Sequence, residues 1–230
     1  MKKDTTLVFL PPGGGDTAAW GGPIERFAKH HPVIAIDMPG AGTKVGQKPL
    51  ATIPECAAYV EGILEGQGIK KPVLMGFCMG GLISQWLALR NSEAYEGVVL
   101  VATAARIKIH EEILSALLED PDRARKVLDR FSSNRDKTNA PPYRPEVQHA
   151  YLKATNEYDA RELVQNIKAP TLIIHGDKDL ATPLPWGEYV HQKIPGSRFK
   201  LIPGATHMLP KEFPAEVEEA AEKFFAQLPD

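Results

Sequence analysis

One hexapeptide constrains this chain more than any other: Gly76-Phe77-Cys78-Met79-Gly80-Gly81, set between the apolar run 73–76 and a helical pattern that extends to Arg90. A strand that turns directly into a helix holds its central residue in a strained conformation. Side chains two positions before or after that residue would strike neighbouring backbone, which is why glycine stands at 76 and 80. A strand that feeds a helix and then another apolar run, 97–101, is the unit of a parallel sheet, since parallel strands need a long crossover between them.

The remaining elements agree with that unit. Short apolar runs at 7–10, 33–37, 171–175 and 199–202 alternate with helical patterns near 20–29, 53–67, 185 onward and 214–228. The reading is an α/β fold: a mostly parallel sheet of about six strands flanked by helices. At 230 residues the chain fits one such domain. The pattern changes over 104–167, which is helical and charged. It carries an apolar stripe at Ile109, Ile113 and Leu117, a helix near 122–131, a polar loop over 132–145, and Pro145 placed for the first turn of a further helix. The domain reading is therefore a core of residues 1–103 and 168–230 with a helical lid over 104–167 inserted into it. Ligands in open α/β sheets sit at the carboxyl ends of the strands, so the loops just after strands hold the candidate site.

The elbow places Cys78 above the sheet at a helix N-terminus, where negative charge is favoured and a thiolate is suited. The Met79 N–H, in the first turn, would face a developing oxyanion. A cysteine taken alone is more often a small buried hydrophobe. Its setting in a strand, a glycine-flanked turn and a helix favours a nucleophile instead.

Four segments in order, all at strand ends, resemble the α/β-hydrolase superfamily and span nearly the whole chain. They are the elbow itself, Asp37-Met-Pro-Gly-Ala-Gly-Thr43, His175-Gly176-Asp177-Lys178-Asp179 continuing to Pro183, and Gly204-Ala205-Thr206-His207-Met208. Among subgroups, the chain is most similar to the small carboxylesterases and enol-lactonases. It is less similar to dienelactone hydrolases, which share the cysteine nucleophile. The resemblance implies hydrolysis of carboxylic esters, thioesters or lactones through a Cys78–His207–Asp179 triad and an acyl-enzyme, with a small-molecule acyl substrate and no cofactor.

The roles follow. His207 lies in a turn after a strand and can hold and return a proton near neutral pH; His175, the closest rival, ends a strand inside an apolar run. Asp179 precedes His207 in the nucleophile–acid–histidine order of the superfamily, whose spacing selects it over Asp177, which suits turn hydrogen bonding. The resemblance also puts a second oxyanion donor after the first strand, at Gly13, with Gly14 as the alternative; Pro11 and Pro12 have no N–H to offer. Gly14, Trp20, Phe77 and Met208 neighbour this place and are candidates for substrate contact. Ile109, Ile113 and Leu117 are better read as packing the lid than as lining an acyl pocket.

Other function classes are disfavoured. A formal charge of −2 gives no attraction to nucleic acid or an anionic membrane. No apolar run approaches the ~20 residues that span a bilayer, and the stretch behind the two leading lysines is too short for a signal-peptide core, so a cytoplasmic protein is expected. Two cysteines make no disulfide framework, and seven scattered histidines lack metal-ligand spacing, so no metal site is expected.

Rival readings remain. Gly13-x-Gly15-x-x-Ala18 with Asp37 about 20 residues on matches the dinucleotide-binding fingerprint on paper, although Pro11-Pro12 stand where its first glycine belongs. An acyltransferase, a lyase or a non-catalytic receptor would keep the fold and drop hydrolysis. The superfamily's leading antiparallel hairpin is missing from the expected order, which leaves a sheet edge that a homo-oligomer would cover.

Overall fold

The computed structural model describes residues 5–129 and 144–229. Six strands form one sheet: β1 (Leu7–Leu10), β2 (Val33–Ala35), β3 (Val73–Phe77), β4 (Gly97–Val101), β5 (Thr171–Gly176) and β6 (Arg198–Ile202). Their order is β2-β1-β3-β4-β5-β6, and every pairing is parallel. The residues of β1, β3, β4 and β5 are wholly buried, as a sheet covered on both faces requires, whereas the edge strands β2 and β6 are partly exposed.

The covering helices are α1 (Gly22–Phe27), α2 (Ile53–Gly66), α3 (Met79–Arg90), α7 (Leu184–Lys193), α8 (Leu209–Glu212) and α9 (Pro214–Phe225). The helix expected at 20–29 is shorter and starts two residues later, as α1. A 3₁₀ turn over Thr17–Trp20 is capped by Asp16, and α1 starts only after Gly21, whose φ of 62° breaks the path.

Between β4 and β5 the chain leaves the sheet as α4 (Glu111–Glu119), α5 (Pro121–Leu128) and α6 (Pro145–Glu157). Pro145 occupies the first turn of α6; most of the expected loop at 132–145 lies outside the described residues. Leu114, Leu117, Ala124 and Leu152 form a small separate apolar cluster, with Ile109 and Ile113 partly buried against it. The apolar stripe thus packs these helices together, although Ile109 precedes α4 instead of lying in it. Among the described residues no helix is long and apolar enough to cross a membrane.

Because all six strands run the same way, the loops after β1, β3, β5 and β6 leave one edge of the sheet. That edge carries residues 13–14, 78, 179 and 207.

Candidate active site

Cys78 sits between β3 and α3 with φ 52° and ψ −112°, a strained conformation for a residue with a side chain. The strain is held from several sides. Its N–H donates to Val101 O at 3.0 Å, and its carbonyl accepts from Gly81 N at 2.9 Å and from Thr103 Oγ1 at 2.7 Å. The flanking glycines are required by close approach. A Cβ at Gly76 would lie 2.4 Å from Gly80 O, and one at Gly80 would lie 2.4 Å from Leu10 O.

Gly80 N also donates to Pro11 O at 3.0 Å, which brings the loop after β1 against the elbow. Further along that loop, the Cβ position of Gly13 is 3.6 Å from Met79 Sδ. Gly14, at φ 72°, instead faces α6, where a Cβ would lie 2.7 Å from Gln148 Cα. Of the two candidate donors, Gly13 is the one beside Met79.

The loops after β5 and β6 are tied to each other before either reaches the elbow. Lys178 N donates to Ala205 O at 3.0 Å, and Gly204 N donates to Asp177 Oδ1 at 2.6 Å. Asp177 therefore serves the turn. Asp179 is buried and accepts at Oδ1 from Ala181 N and Thr182 N, each at 2.8 Å, and at Oδ2 from Thr182 Oγ1 at 2.6 Å. The same Oδ2 lies 2.9 Å from His207 Nδ1. His207 stacks at a tilt on Phe77, ring centroids 5.3 Å apart.

Charge within this group is coupled. Burial works against a charged His207, but the Asp179 carboxylate, the Cys78 thiolate and side-chain hydrogen bonds to both push its pKa up to about 10. Burial likewise works against an ionised Asp179, yet the His207 charge and the hydrogen bonds from His207 and Thr182 hold it below the usual carboxylate range. The geometry describes a cysteine beside an imidazole whose other nitrogen faces a fixed carboxylate, the set of groups that nucleophilic attack on a carbonyl and protonation of a leaving group require.

His175 is fully buried, with Nε2 donating to Thr182 O at 2.6 Å, so it props the Asp179 loop and does not reach the elbow. Burial pushes its pKa down. Cys56 is buried in α2, and burial raises its thiol to about 12, which removes it as a rival nucleophile.

Of the residues expected to touch substrate, Met208 is only partly buried and directly follows His207. Trp20 and Phe77 are fully buried. Trp20 donates from Nε1 to Leu10 O at 2.9 Å and packs edge-on against Phe9 and Phe77. This places Trp20 behind the elbow as support for the loop after β1, a correction to its expected place in a pocket wall. Phe77 backs the His207 ring.

The Asp37 carboxylate accepts four hydrogen bonds, from the N–H and hydroxyl of Thr17 and of Thr43, at 2.8–2.9 Å. These fill its acceptor positions, leaving none for a ribose hydroxyl, and the glycine loop runs into a 3₁₀ turn instead of a helix. Both observations count against the dinucleotide reading.

Two residues of this region went unnoticed in the sequence. On one face of α6, Gln148 and Thr155 are buried, and Gln148 Oε1 and Thr155 Oγ1 have no hydrogen-bond partner among the described residues. Leaving a buried polar group unpaired costs about 1–3 kcal/mol. Sequence offers only their shared face at i and i+7; the loop they meet is more than 130 residues away. With α6 so placed, Cys78 and His207 are each only 9% exposed. Open clefts lie elsewhere, between α4 and α6 and beside α1 and α9.

Residues 7–220 match the α/β hydrolase family. A pimeloyl-[acyl-carrier protein] methyl ester esterase of Neisseria meningitidis is 29% identical over 213 residues, covering 80% of this chain and 78% of the relative. A 3-oxoadipate enol-lactonase of Acinetobacter baylyi is 24% identical over 237 residues, covering 94% and 86%. The crystal structure of an enol-lactonase from Burkholderia xenovorans superposes with a TM-score of 0.82 at 22% identity, covering 98% and 93%, and shares the fold.

Proposed function

The chain belongs to the α/β hydrolase family, and on that premise we propose that it cleaves small carboxylic esters, thioesters or lactones by covalent catalysis at Cys78. The observation that carries this reading is the His207–Asp179 hydrogen bond of 2.9 Å beside a cysteine held at a strained elbow. The names of the similar esterase and enol-lactonase support the acyl class of the substrate.

In the proposed cycle the Cys78 thiolate attacks the carbonyl carbon, and the carbonyl electron pair moves onto oxygen. The N–H groups of Met79 and Gly13 receive that oxyanion; each such donor stabilises the transition state by about 2.7–4 kcal/mol. As the adduct collapses, the bond to the leaving alcohol or thiol breaks and His207 passes it a proton from Nε2. Now neutral, His207 takes a proton from water, the hydroxide attacks the thioester, and Cys78 departs as a thiolate while His207 is again an imidazolium. Asp179 keeps Nδ1 protonated and oriented throughout.

A thiolate leaves a tetrahedral adduct more readily than an alkoxide does, so acyl groups with good leaving groups are better substrates than amides. We assign residues 104–167 to a cap inserted between β4 and β5, with α6 as the part over the site. Comparing turnover of a thioester, an aryl ester, a lactone and an amide tests the class: amide as the best substrate would contradict it. Adding a competing thiol or amine distinguishes hydrolysis from acyl transfer by the product formed.

A further inference from the structure

Helix α6 meets the loop after β1 through Gln148, Leu152 and Thr155, and two of these carry a buried polar atom with no hydrogen-bond partner among the described residues. Gln148 and Thr155 lie seven residues apart on the buried face of α6, with Leu152 between them. A Cβ at Gly13 would sit 3.5 Å from Thr155 Oγ1 and 3.4 Å from Leu152 Cδ2, and one at Gly14 would sit 2.8 Å from Gln148 Cγ. The two glycines thus let α6 descend onto the loop, and Thr155 and Gln148 arrive beside the place assigned to the reacting carbonyl.

A helical threonine normally satisfies its hydroxyl on the carbonyl one turn back, and a buried amide finds a donor. Here Thr155 Oγ1 and Gln148 Oε1 do neither, although both side chains are at least nine-tenths buried. The helix is positioned by other residues. Tyr151 donates to Pro39 O, Val147 packs on Gly40, and Arg144 donates to Gly40 O at 3.3 Å. Thr155 Oγ1 therefore faces the loop at Gly13 without an anchoring hydrogen bond, while the Gln148 stem packs on Gly14 and leaves its amide unbonded at Oε1.

We infer that Gln148 and Thr155 form a polar subsite for the acyl group, which reads a neutral hydrogen-bonding substituent, a hydroxyl above all, on the carbons next to the reacting carbonyl. Thr155 can donate or accept, and Gln148 Oε1 accepts, so a hydroxyl that both donates and accepts satisfies the pair. A plain alkyl chain would leave both atoms unpaired, and a site built around unpaired polar atoms discriminates against the ligand that cannot meet them.

The inference rests on the acyl-enzyme reading for its position, and its test separates the two. The 4-nitrophenyl esters of butanoate and of 2- and 3-hydroxybutanoate are compared as kcat/KM, each corrected by its rate of alkaline hydrolysis. The wild type is expected to favour a hydroxy ester by about tenfold or more. Thr155→Val and Gln148→Met are expected to lose most of that preference, and Thr155→Ser to keep it. A second arm needs no turnover. In Cys78→Ala, NMR titration with butanamide and the two hydroxybutanamides should show tighter binding of a hydroxy amide, lost on adding Thr155→Val. Failure of every ester to react, with the binding preference intact, would sink the triad and leave the subsite standing. Equal binding of the amides, or a preference unchanged in both the Val and Met variants, would overturn the subsite.

Discussion

The oxygen of Asp179 that faces His207, Oδ2, lies 2.9 Å from its Nδ1 and is held in turn by the Thr182 hydroxyl, while Oδ1 is bound by two backbone N–H groups of its own loop. The carboxylate is thereby fixed before the histidine arrives, so the imidazole takes its orientation from a rigid partner. Asp177, two residues earlier, points its carboxylate at Gly204 N instead.

This difference predicts unequal effects of two matched substitutions. Asp179→Asn removes the charge and turns an N–H toward Nδ1, and should lower kcat by about 10³–10⁴-fold. Asp177→Asn keeps an oxygen for the Gly204 N–H and should change kcat by no more than a few-fold. Steady-state rates on an aryl ester decide between them, and the opposite order would make Asp177 the acid.

Stability should report the same pair. His207 is raised from an ordinary 6.5 to about 10, so its contribution is fully present below about pH 6.5 and is lost as pH rises through about 10. Asp179 is held below its ordinary 3.8, so its contribution is present above that value and is lost as pH falls further. The two overlap fully between roughly pH 4 and pH 6.5. In urea unfolding, the wild type should lose more stability than His207→Gln between pH 6.5 and pH 10. Parallel curves would contradict the pairing.

Catalysis should respond to alkali in a way that depends on the nucleophile. An ion-paired thiolate works while His207 is protonated, so kcat/KM of the wild type should fall as pH approaches 10. In Cys78→Ser the contribution of Cys78 to the raised His207 pKa is gone, and a serine needs the imidazole neutral as a base. Its much lower activity should rise through neutral pH and show no fall near 10. Matching profiles for the two proteins would refute the ion pair.

The elbow's geometry can be tested apart from its chemistry. Gly80→Ala puts a methyl 2.4 Å from Leu10 O, backbone that cannot move aside; a loss of about 2–4 kcal/mol in urea unfolding is expected. Gly68→Ala, at φ 67° with open space around it, meets only backbone strain and should lose about 1 kcal/mol. Equal losses would show that close approach at Gly80 is not what demands glycine.

What could be read from sequence was local or repeated at strand ends. The elbow, the strand runs and the spacing that separates Asp179 from Asp177 are short-range patterns, and in the fold Asp179 rather than Asp177 lies against His207. Trp20 was misplaced because nearness in sequence to the loop after β1 says nothing about which side of that loop the ring takes; its N–H turned inward to Leu10 O. The helix expected over 20–29 overlooked that Gly21 would adopt a positive φ. Gln148 and Thr155 were illegible for a different reason, since their significance lies wholly in the descent of α6 onto Gly13 and Gly14.

Covalent catalysis at Cys78 is tested most directly by mass spectrometry of the protein mixed with an aryl ester, quenched in acid within the first turnovers and digested. An acyl thioester is expected on the peptide carrying Cys78, formed with a burst of one phenolate per chain and absent from Cys78→Ala, which also fails to turn over. Turnover that persists in Cys78→Ala, or an acyl group trapped on another residue, would contradict it.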